Sequence, residues 1–238
     1  MKTPDEPAAT EPAATEPAPT WLDLYDWRRR VARLYQERDS ALRAGTDPAG
    51  VALRWRAGRD TLFKEHPQTP LSGAQRANFA GLPYFAYDAT LCLNAELEPD
   101  TSEESTMLEA SGPHTMRFRR AGRVSFNLEG MPTTLILYWI DVYGGGLFLP
   151  FRDATCGTES YGGGRYLVDT VKGSDFTRIG AEDGAGAAGY RGGPLVVDFN
   201  YAYNPSCAYD ARWVCPLAPN ENRLSVAMRA GEQVLDAH

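Results

Sequence analysis

The sequence is short of positive charge, of histidine and of long apolar runs, and each shortage closes off a class of function. Lysine and arginine total 24 against 31 aspartates and glutamates, a formal net charge of −7. A general nucleic-acid binder carries a basic excess or a basic face, so no nucleic-acid partner is expected. The longest apolar run, Leu135 to Ile140, is strand-sized. It falls far short of the roughly 20 residues that cross a bilayer, so no membrane partner is expected. The first residues are acidic and proline-rich and lack the apolar stretch of a secretory signal, which predicts a cytoplasmic location. Thiols there are normally reduced, so Cys92, Cys156, Cys207 and Cys215 are expected to be free. Imidazoles come only from His66, His114 and His238. A structural zinc takes four ligands in short pairs; Cys207 and Cys215 alone do not supply them, and neither a metal nor another cofactor is expected.

Apolar residues make up 43% of the chain, enough for a sizeable core, and charged residues 23%, an ordinary share. Residues 1–20 repeat an Ala-Thr-Glu-Pro theme with no side chain able to bury much surface. They are predicted to be a disordered tail, leaving residues 21–238 as one domain. Leu24, Trp27, Val31 and Leu34 recur at helical spacing, and Gly45 ends that helix. Asp47-Pro48 reads as the cap and first turn of a second helix, striped by Val51, Trp55, Leu62 and Phe63 and stopped at His66-Pro67. A short third helix is predicted from Ser72 to Phe79.

From Tyr87 the period changes to two. Strands are predicted from Tyr87 and over 105–110, 114–120, 123–129, 133–141, 147–151, 165–169, 195–200 and 222–229, with 114–120 and 123–129 joined by a tight Ala-Gly turn. Nine short strands behind a helical N-terminal segment give a mainly β, α+β fold: an antiparallel sandwich or barrel flanked by helices. The Gly/Ala-rich stretch from Asp175 to Gly193 is expected to be a mobile loop.

Two segments concentrate polar and aromatic residues after apolar strands: residues 147–167, "LFLPFRDATCGTESYGGGRYL", and 196–232, "VVDFNYAYNPSCAYDARWVCPLAPNENRLSVAMRAGE". With "FKEHPQTPL" and "FAGLPYF" they make the chain resemble domain-of-unknown-function family 1684 of bacteria and archaea, over about residues 50–232. The resemblance implies a shared fold and a shared pocket, and brings no reaction with it. Cys156 departs from the family, which more often has Ser or Asn there, and this argues against a catalytic thiol at that position.

Candidate roles follow from residue chemistry. Arg165 starts a strand after three glycines; its planar fork suits a carboxylate or phosphate, or an ion pair with Asp153 or Asp198. The glycines precede a strand, so they do not form a nucleotide-binding loop. Asp198 and Asn200 share one strand face. Asp198 fits acid–base work, while Asn204 equally fits a turn. His66, inside the family-like motif, is either a general base or a helix-end cap. The catalytic candidates are thus Asp198, Arg165 and His66. The ligand-binding candidates are Asp153, Tyr161, Asn200, Tyr203, Asn204, Cys207 and Asn222, in an aromatic setting typical of small-molecule sites. Three readings compete: a small-molecule-binding protein, with a cofactor-independent enzyme as its catalytic form; a non-catalytic structural or binding domain with a buried polar network; and a thiol or metal protein using Cys207 and Cys215. The sequence carries no reading of oligomeric state.

Overall fold

The computed structural model describes residues 18–102, 104–177 and 193–235. Most of the predicted N-terminal tail, and residues 178–192 of the predicted mobile loop, lie outside the described residues.

Three helices come first. Helix α1 (Trp21–Arg43) opens with a capping box: the Thr20 hydroxyl accepts from the Asp23 N–H, and the Asp23 carboxylate accepts from the Thr20 N–H. Helix α2 (Pro48–Glu65) is capped by Asp47, carries proline in its first turn and ends at His66. Helix α3 (Gly73–Ala77) is shorter than predicted and is capped by Ser72 and Gln75. The packed faces of α1 and α2 meet through Val31, Tyr35, Ala52, Trp55 and Leu62, with Tyr201 from the C-terminal region completing this cluster.

Seven strands follow among the described residues: β1 (Cys92–Pro99), β2 (Ser105–Glu109), β3 (Thr115–Leu128), β4 (Met131–Ile140), β5 (Gly146–Phe151), β6 (Arg165–Asp169) and β7 (Gly193–Asp198). Every pairing between them is antiparallel, in the order β6-β5-β4-β3-β1-β7, with β2 beside the first half of β3. The result is one sheet curled into a half-barrel, which settles the choice between sandwich and barrel.

Two differences account for seven strands rather than nine. The predicted hairpin at Ala121-Gly122 is instead a bulge within the single long strand β3. A bulge bends a strand and strengthens its twist, and here it lets β2 pair before the bend and β1 after it. Gly122 is required there, because a Cβ would lie 2.7 Å from the Glu98 carbonyl oxygen. The second difference is 222–229, which forms no strand; its carbonyls serve other donors, as described below.

One face of the curl is lined by Val124, Phe126, Leu135, Leu137, Leu149, Phe151 and Phe199. Where β4, β5 and β6 lie side by side the other face is buried too, by Phe118, Tyr138, Phe148, Tyr166 and Tyr203. Burial on both faces explains the unbroken apolar character of β5 and β6. After β7 the chain runs through short 3₁₀ turns and coil to residue 235. Gly231 anchors this coil at φ 74°, and a Cβ on it would lie 2.4 Å from the Ala202 carbonyl oxygen. Gly231→Ala is therefore expected to destabilise the protein by more than the about 1–2 kcal/mol of the left-handed backbone alone. Urea denaturation measures it, and an unchanged midpoint would show that this contact does not hold the coil.

Candidate functional site

The polar motif resolves into a buried network and two places where reactive groups stay near the surface. At the centre of the network is Arg165, which begins β6 and has no exposed surface. Its Nη2 donates to Asp153 Oδ2 at 2.6 Å and to the Met228 carbonyl at 2.7 Å. Its Nη1 donates to the carbonyls of Ala230, at 2.5 Å, and Glu232, at 3.0 Å. The rings of Phe151 and Phe85 lie 5.1 and 5.7 Å from the guanidinium carbon. Asp153 is held in turn by the N–H and hydroxyl of Thr155. Of the two partners expected for Arg165, the structure selects Asp153. Both side chains are buried and spend these hydrogen bonds inside the protein, leaving Arg165 Nε without a partner among the described residues.

Glu232 is the group that sequence reasoning missed. It is fully buried, with Arg59 Nε at 2.6 Å, the Tyr209 hydroxyl at 2.6 Å, the Asn204 N–H at 2.8 Å and the Tyr84 hydroxyl at 3.3 Å. Burial opposes the charge on Arg59, but Glu232 outweighs it and holds that guanidinium well above its ordinary range. The available signal was a glutamate closing the last family-like motif, and on α2 an arginine on the same face as Trp55, Leu62 and Phe63.

The asparagines also work within the fold. Asn222 exchanges hydrogen bonds with the Ile136 N–H and carbonyl and donates to the Pro150 carbonyl, tying β4 to β5. Asn204 donates to the Gln233 carbonyl. Asn200 bonds both backbone groups of Asp88. The Tyr203 hydroxyl is 2.9 Å from the Ser174 hydroxyl, both groups being buried. His66 is also buried; its Nδ1 accepts from the Gln68 N–H and its Nε2 lies 3.3 Å from Asp26. The ring therefore bonds the Gln68 N–H beyond the helix end and faces Asp26 of α1.

Asp198 is different. The two ends of the sheet path, β6 and β7, curl toward one another without pairing, and a cleft of about 220 Å³, counting its open mouth, remains at the seam. Leu167 and Val168 of β6, Val196, Val197 and Asp198 of β7, and Phe176, Thr177, Arg38 and Tyr201 line it. Burial pushes the Asp198 carboxyl above its ordinary range, although Asn200 and the Cys92 thiol hydrogen-bond to it. Burial and then the neighbouring Asp198 raise Cys92 to about 12. The Tyr201 hydroxyl is buried and has no hydrogen-bond partner among the described residues. Arg38 stacks between the rings of Tyr35 and Tyr201, at 4.6 and 4.9 Å, and donates to Asp39 and the Phe176 carbonyl.

The second place is a thiol cluster. The Tyr161 hydroxyl lies 3.5 Å from Cys207 Sγ, and the Cys207 and Cys215 thiols are near enough to shift each other's proton affinity. Among the described residues no three His, Cys, Asp or Glu side chains converge in the manner of metal ligands, and no helix there is long and apolar enough to cross a membrane. The structure therefore places Asp198 in the seam, Tyr161 and Cys207 in the thiol cluster, and Arg165, Asp153, Asn204 and Asn222 within the packed interior.

A curled antiparallel sheet with helices before it and a polar C-terminal coil is the fold class these elements define. The profile of the family described as "Protein of unknown function (DUF1684)" matches residues 77–233, and the chain belongs to that family. It is also similar to an uncharacterized protein of Haloarcula marismortui, solved by solution NMR: 32% identity, a TM-score of 0.54, covering 76% of this chain and 91% of that one. No curated protein matches.

The buried clamp is open to test. Breaking a buried ion pair from one side costs about 3–5 kcal/mol. Asp153→Ala is expected to lower stability by that order, read by urea denaturation; a loss no larger than that of an exposed substitution would show that Arg165 does not need this partner.

Proposed function

We propose that the protein binds a small polar molecule in the seam cleft, with Asp198 exchanging a proton or hydrogen bond with it. The observation that carries this reading is the pairing, in one cleft, of a carboxyl raised by burial with the buried Tyr201 hydroxyl, which lacks a partner among the described residues. Such groups are where acid–base chemistry is sought. The walls mix apolar residues of β6 and β7 with Arg38, Thr177 and Asp198. Size narrows the ligand: behind the open mouth the enclosed room is only about 10 Å³, about what one water-sized group needs. The occupant is a compact polar metabolite that reaches in with one small group and hydrogen-bonds Asp198 and the Tyr201 hydroxyl.

A second reading, a non-catalytic domain, draws on the consumption of Arg165, Asn222 and Glu232 by internal hydrogen bonds. Tyr201→Phe separates the two. Removing an unpaired buried hydroxyl costs the fold little, since such a group is itself unfavourable. The variant is expected to melt at or above the wild-type temperature and to lose the stabilisation conferred by whichever compact metabolite shifts the wild type in a thermal screen. Absence of any stabilising metabolite, or equal stabilisation of both proteins, supports the non-catalytic reading instead.

The raised Asp198 gives a signed pH dependence. The folded protein holds this proton more tightly than the unfolded chain does. The associated stability is complete below the ordinary carboxylate value of 3.8 and is lost as pH rises through the higher folded value. Asp198→Asn has no such titration. The wild-type stability measured relative to this variant should fall across that window and level off above it; a difference that rises with pH would mean the carboxylate, not the acid, is the favoured form.

A further inference from the structure

The thiol cluster has no part in the seam cleft and supports a separate chemistry. Cys215 is fixed and buried: its N–H donates to the Ser111 hydroxyl at 2.9 Å, its carbonyl accepts from the Ser111 N–H at 2.8 Å, and Pro216 bridges Ala110 beyond the end of β2. Cys207 sits on the single 3₁₀ turn Ser206–Ala208 and is half-buried. Its thiol lies 3.5 Å from the Tyr161 hydroxyl and has the Cys215 thiol as an electrostatic neighbour. One sulfur of a close pair is thus reachable and beside a hydroxyl, while the other waits behind it.

We propose that Cys207 and Cys215 form a dithiol–disulfide exchange site whose substrate is a low-molecular-weight disulfide, with Cys207 as the attacking thiol and Cys215 as the resolving one. Interaction with Cys215 and the Tyr161 hydroxyl favours the Cys207 thiolate against its burial and holds its proton affinity below the ordinary thiol range. The same interaction between the two thiols, together with burial, keeps the proton on Cys215. The accessible sulfur is therefore the one favoured as the thiolate.

In the first step the Cys207 thiolate attacks one sulfur of the disulfide. The S–S bond breaks, one thiolate leaves and takes a proton from solvent, and a mixed disulfide remains on Cys207. Cys215 then loses its proton to solvent and attacks Cys207 Sγ. The second thiolate leaves and is protonated, and a Cys207–Cys215 bond is left. The protein dithiol has lost two electrons and two protons, and the small disulfide has become two thiols. Cys92 and Cys156 have no such partner sulfur among the described residues, and burial and Asp198 keep Cys92 protonated.

The experiment uses the full chain, reduced, freed of reductant and equilibrated with excess oxidised glutathione, followed by alkylation and peptide mapping. The expected product is a protein lighter by two hydrogens with Cys207 joined to Cys215, and with Cys92 and Cys156 alkylated. Cys215→Ser should trap one glutathione on Cys207, and Cys207→Ser should give neither adduct nor bond. Before oxidation, alkylation of Cys207 should follow a midpoint at least about one pH unit below the ordinary thiol value near 8.5, and Tyr161→Phe should move it upward. Cys207 and Cys215 remaining fully alkylatable after equilibration would overturn the proposal, as would adducts confined to Cys92 or Cys156. Should either serine variant fail to fold, the wild-type mapping and the Cys207 midpoint decide the question without it.

Discussion

Arg165 carries a full charge with no surface exposed to water, and the chain around it is arranged to meet that demand. An isolated buried cation costs several kcal/mol in lost hydration, and it is tolerated only when paired and hydrogen-bonded. Here Asp153 supplies the counter-charge, and the carbonyls of Met228, Ala230 and Glu232 supply the remaining acceptors. Three carbonyls at alternate positions turned toward one guanidinium hold the coil where a strand was predicted. A buried pair of this kind is weak evidence for net stability. Its value lies in permitting one path of the C-terminal coil and penalising the others.

Glu232 extends the same constraint to the helices. Its carbonyl accepts from Arg165, and its carboxylate accepts from Arg59 on α2. One residue therefore joins the start of β6 to the helical layer. Arg59 also stacks near Trp55, Phe63 and Tyr203, at 5.5, 4.9 and 4.9 Å, so the contact between helices and sheet is ionic at its centre and aromatic around it. This explains why α2 buries Arg59 on the face where an ordinary amphipathic helix would carry only apolar residues, while the neighbouring Arg56 donates to the Phe85 carbonyl and lies over the Tyr84 ring.

Local signals in the sequence were read well where local chemistry decides the structure. Asp47-Pro48 and Ser72 mark helix starts because capping is settled within a few residues. The two-residue period marks β1, and the family-like motifs enclose most of the buried network. What was not legible depends on contacts between distant residues. Ala121-Gly122 reads equally as a hairpin turn or a bulge until β1 and β2 are known to lie on the same side of β3. Residues 222–229 have strand-like composition, but Arg165, more than sixty residues earlier in the chain, takes the Met228 carbonyl just ahead of those of Ala230 and Glu232. Arg165 and Asp198 looked alike as candidates because both are charged residues at strand ends. Only the closure of the sheet separates them, enclosing the first and leaving the second at the seam.

That separation gives a general way to sort polar residues in such a motif. A buried group whose donors and acceptors are all taken is explained by folding, and needs no ligand to account for it. A group that is buried or half-buried, chemically competent and incompletely used by the fold is not explained in this way. Asn222, with its amide spent on Ile136 and Pro150, is of the first kind. Asp198 beside Tyr201 is of the second, and so is Cys207 beside Cys215. The first pair lies where a curling sheet stops short of closing, the second where a turn in the coil meets a segment pinned to β2. Both positions are set by the rigid network, so the precision that Arg165 and Glu232 impose on the coil is also what would hold reactive groups in place without strain of their own.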